Sequence, residues 1–277
     1  MTYTLKSFFN KFNILLNYIK IFIYFFHRKP FVLGYDEYKW FRIKKKINNN
    51  KKEINETNVA GIDERIIEYK WIINELSYKS GKLLDAGSTI NFKTIIDHLN
   101  NFDVTIQTLF PEKNNFSSNS VSYVYSDLKE SIFKENYFDY ITCISTLEHV
   151  GFNNNHYNYF KNKKYEILEN DPKSYLDVIK NFKSILKNDG ELYLTLPFGK
   201  KQIFNHLQQF DSDEIKKLID TFAPRFHSKY FYIYKNFKWT ECEEKDCKEV
   251  KFRTLEEKNP IDKAASARSM IFLKLRK

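Results

Sequence analysis

The chain has 277 residues, 42% of them hydrophobic, which is enough apolar material for one large α/β domain with extensions or two small ones. Its net charge of +10 sits in residues 1–52, which hold 12 Lys/Arg and 2 Asp/Glu; the remainder is neutral, with 33 of each sign. A general bias toward Lys is excluded as the cause, and the segment is expected to face an acidic surface, membrane lipid or nucleic acid. Three cysteines exclude a disulfide framework and fit a reducing cytoplasm. Cys242-x4-Cys247 lacks a second ligand pair, so no metal site is expected. The 26 Phe and 19 Tyr accompany an excess of Lys, Asn and Ile and read as a compositional bias, not an aromatic platform.

Residues 5–26 place Lys6, Asn10, Asn13, Asn17 and Lys20 at spacings of four and three, one narrow polar stripe on an otherwise apolar helix. The longest unbroken apolar run, Ile21–Phe26, is far short of the roughly 18 residues of a spanning helix. No small-residue cleavage site follows, so a cleaved signal peptide is not expected. The helix is expected to lie in the membrane interface or to pack on the body or a second copy, with a signal anchor as a lesser alternative. Residues 44–58 are charged and Asn-rich and read as a solvated linker. The expected division is therefore an extension and linker over 1–58 and a domain over 59–277.

In the body, the spacing predicts a helix over 62–79, a strand over 82–85, a loop over 86–91 and a helix in 92–101. Strands follow at 103–110, 121–125 and 138–145, then a helix at 171–188 opened by Asp171-Pro172. After a turn at 188–190 come a strand at 191–197, a helix at 211–222 capped by Asp211 or Ser212, and strands at 229–237 and 267–276. Strands alternating with helices imply βαβ units in a mostly parallel sheet, with an antiparallel pair at the end. Ligands bind beyond the carboxyl ends of such strands, so the loops at 85–91, 109–112, 126–128 and 145–151 are the places to examine.

In those loops Gly87 permits close backbone approach and Ser88 and Thr89 offer hydroxyls. Asp127 is a carboxylate for a ligand or a turn cap. Glu148 and His149 are an acid and an imidazole at one sheet edge, suited to acid–base work or to orienting a ligand.

The order L-L-D-A-G-S, Y-S-D-L, F-D-Y-I-T-C-I-S-T-L-E-H-V-G and L-K-N-D-G-E-L-Y-L-T-L-P-F-G resembles the class I S-adenosylmethionine-dependent methyltransferases over residues 62–222. It is most similar to a subgroup with S-T-L-E-H-V-G after strand four, often found among surface-polysaccharide biosynthesis proteins. The resemblance implies a Rossmann-like three-layer α/β sandwich with a seven-stranded sheet, its last strand antiparallel, here with an N-terminal helical extension. It implies S-adenosyl-L-methionine as cofactor. Asp85 and Gly87 match the first cofactor motif, with Ser88, Thr89 and Asn91 at its remaining positions; Asp127 and Leu128 match the adenine segment, and Ser145 and Thr146 the end of strand four. Thr89 and Asn91 stand where the family has glycines, and no acid ends strand two, where Glu112 is the substitute for the ribose.

The expected activity is O-methylation of a sugar or a glycan- or glycolipid-linked acceptor, with His149 as base and Glu148 as its partner. His206, after strand five, is the second candidate base. The expected location is cytoplasmic, peripheral on the inner face of the membrane. The alternatives are a catalytically inactive scaffold at a membrane and, below it, a nucleic-acid methyltransferase or binder. The neutral body and the absence of an Asn/Asp-Pro-Pro-Tyr motif weigh against nucleic acid, and the single glycine weighs against a dinucleotide fold.

Overall fold

The structure is a computed structural model that describes residues 2–27, 32–49, 53–55, 59, 62–112, 114–117, 120–130, 132–154, 170–253 and 267–277, with side chains from residue 12 of the first helix onward. Three helices come first: α1 (Thr2–His27), α2 (Tyr35–Ile47) and α3 (Arg65–Leu76). The parallel part follows as β1 (Gly81–Ala86), α4 (Lys93–Ile96), β2 (Phe102–Thr108), β3 (Val121–Tyr125), β4 (Phe138–Ile144), α5 (Tyr175–Ile185) and β5 (Leu186–Pro197). A small hairpin, β6 (Gln202–Ile203) and β7 (Gln208–Gln209), precedes α6 (Ser212–Phe222). The chain ends in β8 (Phe226–Lys235), β9 (Lys238–Cys242), α7 (Glu244–Cys247) and β10 (Ser269–Arg276).

The main sheet has the order β3-β2-β1-β4-β5-β10-β8-β9. Strands β1 to β5 are parallel, and β10 inserts antiparallel between β5 and β8. The Rossmann-like α/β architecture is thus present, with eight strands where seven were expected. The extra strand is β9, which turns back on β8 at Asn236 and Phe237, both at positive φ, and covers the sheet edge.

Strand periodicity sends neighbouring residues to opposite faces and makes three layers. Leu83, Tyr193 and Phe272 join the core beneath α2 and α3, with Trp71 and Ile72. Leu84, Leu194 and Leu273 face α5 and α6, with Phe182, Leu218 and Phe222. Helix α6 starts as expected at Asp211, whose Oδ1 accepts from the Glu214 backbone N–H at 3.0 Å.

Several expected boundaries move. The helix expected in 92–101 is a single turn, α4, because the chain then closes in tight turns that end with Phe102 N–H on the Leu99 carbonyl. The turn expected at 188–190 lies within β5. Leu186 already pairs with Phe138, and Asp189, at φ 64°, takes up the irregularity opposite Phe138 and Tyr140.

The linker expected from residue 44 begins later, since 44–47 form the last turn of α2 and Ile43 and Ile47 are buried. Lys44, Lys45 and Lys46 complement the negative end of this helix. Among its described side chains, helix α1 docks by those near its C-terminal end. Tyr24 is buried against Tyr35 and Tyr38, and Lys20 pairs with Glu37 at 2.7 Å. Gly34, at φ 84°, lies against the Lys20 carbonyl, where a Cβ would collide with it. Residues 12–19 are all exposed, as are Phe22, Phe25 and Phe26. Among the described residues no helix is long and apolar enough to cross a membrane.

Candidate active site

The strand order reverses between β1 and β4, so the chain leaves their carboxyl ends in opposite directions and opens a crevice. A cavity of about 570 Å³ lies there. Its floor comes from the expected loops: Gly87, Ser88 and Thr89 after β1, Leu109, Phe110 and Glu112 after β2, Asp127 and Leu128 after β3, and Ser145, Thr146 and His149 after β4. Its roof comes from Asp36, Lys39 and Trp40 of α2 and Arg65 and Tyr69 of α3.

Each of these loops is tied down locally. Asp85 lies beneath the cavity, not in its lining. It accepts from the Ile90 backbone N–H at 3.0 Å and the Thr142 hydroxyl at 3.3 Å, and burial pushes its carboxyl up to about 7. Gly87, at φ 109°, packs on Thr146, where any side chain would clash. Ser88 and Ser145 hold left-handed φ of 62° and 40°, a strained conformation at two residues that line the cavity. The Tyr69 hydroxyl donates to the Thr89 carbonyl at 2.7 Å. The Ser88 and Thr89 side-chain oxygens, by contrast, are buried without a hydrogen-bond partner.

Thr89 and Asn91, the two departures from glycine, have separate roles. Thr89 lines the cavity, whereas Asn91 lies behind the lining, where it donates to Glu112 at 3.0 Å and to the Asn114 carbonyl at 3.3 Å and accepts from Tyr123. Asn91 therefore orients Glu112 within the cavity wall. Asp127 borders the cavity, and it acts as a turn cap, its Oδ1 accepting from the Lys129 backbone N–H at 2.9 Å.

The end of β4 is anchored by a residue that spacing does not reveal. Glu68 of α3 is fully buried, accepts from Ser145 Oγ at 2.6 Å and Thr195 Oγ1 at 2.5 Å, and pairs with Arg65 at 2.7 Å. Ser145 thus borders the cavity while its hydroxyl holds α3. Thr146 turns its own hydroxyl back to the Ile144 carbonyl at 3.0 Å.

His149 borders the cavity, and its Nδ1 lies 2.7 Å from the backbone carbonyl of His206. A carbonyl only accepts, so Nδ1 carries the proton and Nε2 is the basic nitrogen of the neutral ring. The two imidazoles stack at 6.3 Å. Glu148 is 4% exposed and outside the lining, with its Oε2 unpartnered. Burial, reinforced by the nearby Glu68 and Glu64, pushes its carboxyl up. The orienting partner that the structure gives His149 is the His206 carbonyl.

The roof was not anticipated. Trp40 stacks on Tyr69 at 5.7 Å and meets Phe92 at 4.3 Å, forming an aromatic wall. Lys39 pairs with Asp63 at 2.6 Å, and although burial pushes the Asp63 carboxyl up, Lys39 beside it holds it down. Reading 35–47 as a helix would have found the roof, because Asp36, Lys39, Trp40 and Ile43 fall on one face at three- and four-residue spacing. Among the described residues no group of three or more His, Cys, Asp or Glu is placed to hold a metal.

No family model matches the chain, and no curated protein matches it. Solved structures similar to it include a 1,6-didemethyltoxoflavin-N1-methyltransferase of Burkholderia thailandensis with S-adenosylhomocysteine bound, 13% identical over 74% of this chain and 75% of that one (TM-score 0.44). A SAM-dependent methyltransferase of Methanosarcina mazei is 12% identical over 74% and 96% (TM-score 0.45). One of Archaeoglobus fulgidus is 12% identical over 76% and 94% (TM-score 0.45).

Proposed function

We propose that the chain is an S-adenosylmethionine-dependent methyltransferase acting on a sugar hydroxyl of a glycan- or glycolipid-linked acceptor. The observation that carries this reading is the pair of buried, unpartnered hydroxyls of Ser88 and Thr89 at the strand-order switch point. Buried polar groups without partners are costly, and a polar ligand end beside Gly87 would satisfy both. The residues present fit the cofactor: Ser88 and Thr89 would take its amino-acid end, Glu112 its ribose, and Asp127 and Leu128 its adenine, with Ser145 and Thr146 beside the reacting carbon. When bound, it supplies a sulfonium methyl group, a strong electrophile.

The chain's own part is to position the acceptor and to take a proton. His149, held through Nδ1 by the His206 carbonyl, presents Nε2 as the base for an acceptor hydroxyl. The aromatic wall of Trp40 and Phe92 suits the apolar face of a sugar ring, and Asp36 suits its hydroxyls. Alignment of acceptor and donor under this roof supplies most of the rate. In this reading residues 59–277 form the methyltransferase-like domain, and the extension over 1–58 contributes the α2 part of the roof and the apolar face of α1. That face, beside a basic segment, suits the anionic inner surface of a membrane, where a glycolipid-linked acceptor lies.

Titration calorimetry with S-adenosylmethionine and S-adenosylhomocysteine tests the reading. Both are expected to bind, and replacing Ser88 and Thr89 by Ala together is expected to weaken both about tenfold or more, a loss of about 1.4 kcal/mol. No binding of either to folded protein overturns the enzymatic claim and leaves the inactive scaffold.

A further inference from the structure

Cys242 ends β9 and Cys247 ends the one-turn helix α7, and their sulfurs lie 3.4 Å apart. The approach is built in locally. Glu243 and Asp246 close a reciprocal capping box around α7, with the Glu243 backbone N–H 3.1 Å from Asp246 Oδ2. This box holds the turn that faces the two thiols. A disulfide needs its sulfurs at about 2.05 Å, so closure asks for a movement of about 1.4 Å. Both cysteines are free thiols here.

We propose that Cys242 and Cys247 are a redox-modification site, a dithiol that closes to an intrachain disulfide when it meets a small disulfide such as oxidised glutathione. Cys242 is half-buried and reachable, whereas Cys247 is buried, which sets the order of events. The hydrogen bond from Cys247, opposed by burial, lowers the Cys242 thiol and favours it as the attacking thiolate. Its sulfur attacks one sulfur of glutathione disulfide, a mixed disulfide forms, and one glutathione leaves as thiolate. Cys247 gives its proton to solvent, its thiolate attacks the Cys242 sulfur, and the second glutathione leaves as thiolate. The two cysteines are oxidised and one glutathione disulfide is reduced to two glutathione molecules.

The site adjoins the candidate active site through the backbone. The Cys247 carbonyl accepts from Val250 N–H at 2.9 Å, and the Val250 carbonyl accepts from Lys200 N–H at 2.9 Å and Gln209 Nε2 at 2.8 Å. Those bonds strap down the β6–β7 hairpin, whose loop carries the His206 carbonyl that orients His149.

The experiment is mass spectrometry of the full chain after incubation with glutathione disulfide, alkylation of remaining thiols under denaturing conditions, and cleavage at lysine. Cleavage at Lys245 separates the two cysteines, so a disulfide appears as two joined peptides. The expected result is one alkylated cysteine, Cys143, and a 242–247 crosslink lighter by two hydrogens. Cys247→Ser is expected to keep a glutathione adduct on Cys242, and Cys242→Ser to take none. Three alkylated cysteines, a retained glutathione adduct on the native chain, or a bond to Cys143 overturns the proposal.

Discussion

Helices α6 and α1 both carry apolar residues at helical spacing, and they use them in opposite ways. In α6, Ile215, Leu218 and Phe222 are buried against the sheet and α5, and a side-chain cap starts the helix. Its Glu214 is also buried, between Tyr175 at 2.6 Å, Lys201 at 2.7 Å and Lys217 at 2.9 Å. In α1 the apolar residues from Phe12 to Ile19 face solvent, and the side that meets the body is the one bearing Lys20 and Tyr24. Periodicity therefore identifies a helix, and its partner decides which face is covered. Among the described residues, nothing covers the apolar side chains from Phe12 to Ile19, a contiguous exposed stretch of the kind that carries an interaction in the proposed function.

The largest expected effect is at Phe222. Phe222→Ala should cost about 3–5 kcal/mol, from lost burial and the cavity left behind, as read by urea unfolding. A cost under about 1 kcal/mol would mean that α6 is no better packed than α1.

Next comes Glu214. Burial pushes its carboxyl up, but Lys201, Tyr175 and Lys217 hold it down to about 2. A depressed carboxylate stabilises the fold above its ordinary value near 4.5 and loses that contribution as pH falls through about 2. Glu214→Gln should therefore cost about 1–3 kcal/mol at pH 7, reduced by the exposure of both lysines to solvent. The gap between native and variant should shrink as pH falls from about 5 toward 3. A gap constant with pH would show that the carboxylate's charge is not what matters.

The smallest effect on stability, and the largest on location, is expected in α1. Phe22 and Phe26 are 63% and 74% exposed, so replacing both by Asp should change stability by less than about 0.5 kcal/mol. The same change should abolish co-flotation with vesicles containing anionic lipid. Unchanged flotation would remove the membrane from the proposal, and a native dimer lost in the variant would assign the face to a second copy.

The floor of the site was legible because it depends on chain order. Once the parallel strands are placed, Gly87, Glu112, Asp127, Ser145 and His149 must lie at their carboxyl ends, and all five border one cavity. The roof and the anchors were not. Asp36 and Trp40 sit on a helix whose charged C-terminal turn resembles a linker, and Glu68 looks like one more charge on α3 until Ser145 and Thr195 meet it. The roles of Glu148 and Asn91 were also hidden. Nothing in Glu148-His149 shows that the chain buries the acid and hands the imidazole to a carbonyl 57 positions away.

Backbone periods of 2 and 3.6 act over a few residues, so local patterns are enough to set the α/β alternation, the parallel half of the sheet, the Asp211 cap and the loops at the strand ends. Tertiary structure alone decided the buried Glu68 anchor, the His206 carbonyl that holds His149 and which side of α1 meets the body. Each of these is a choice of partner, set by how surfaces fill space across as many as 127 residues of chain, and no local pattern encodes it.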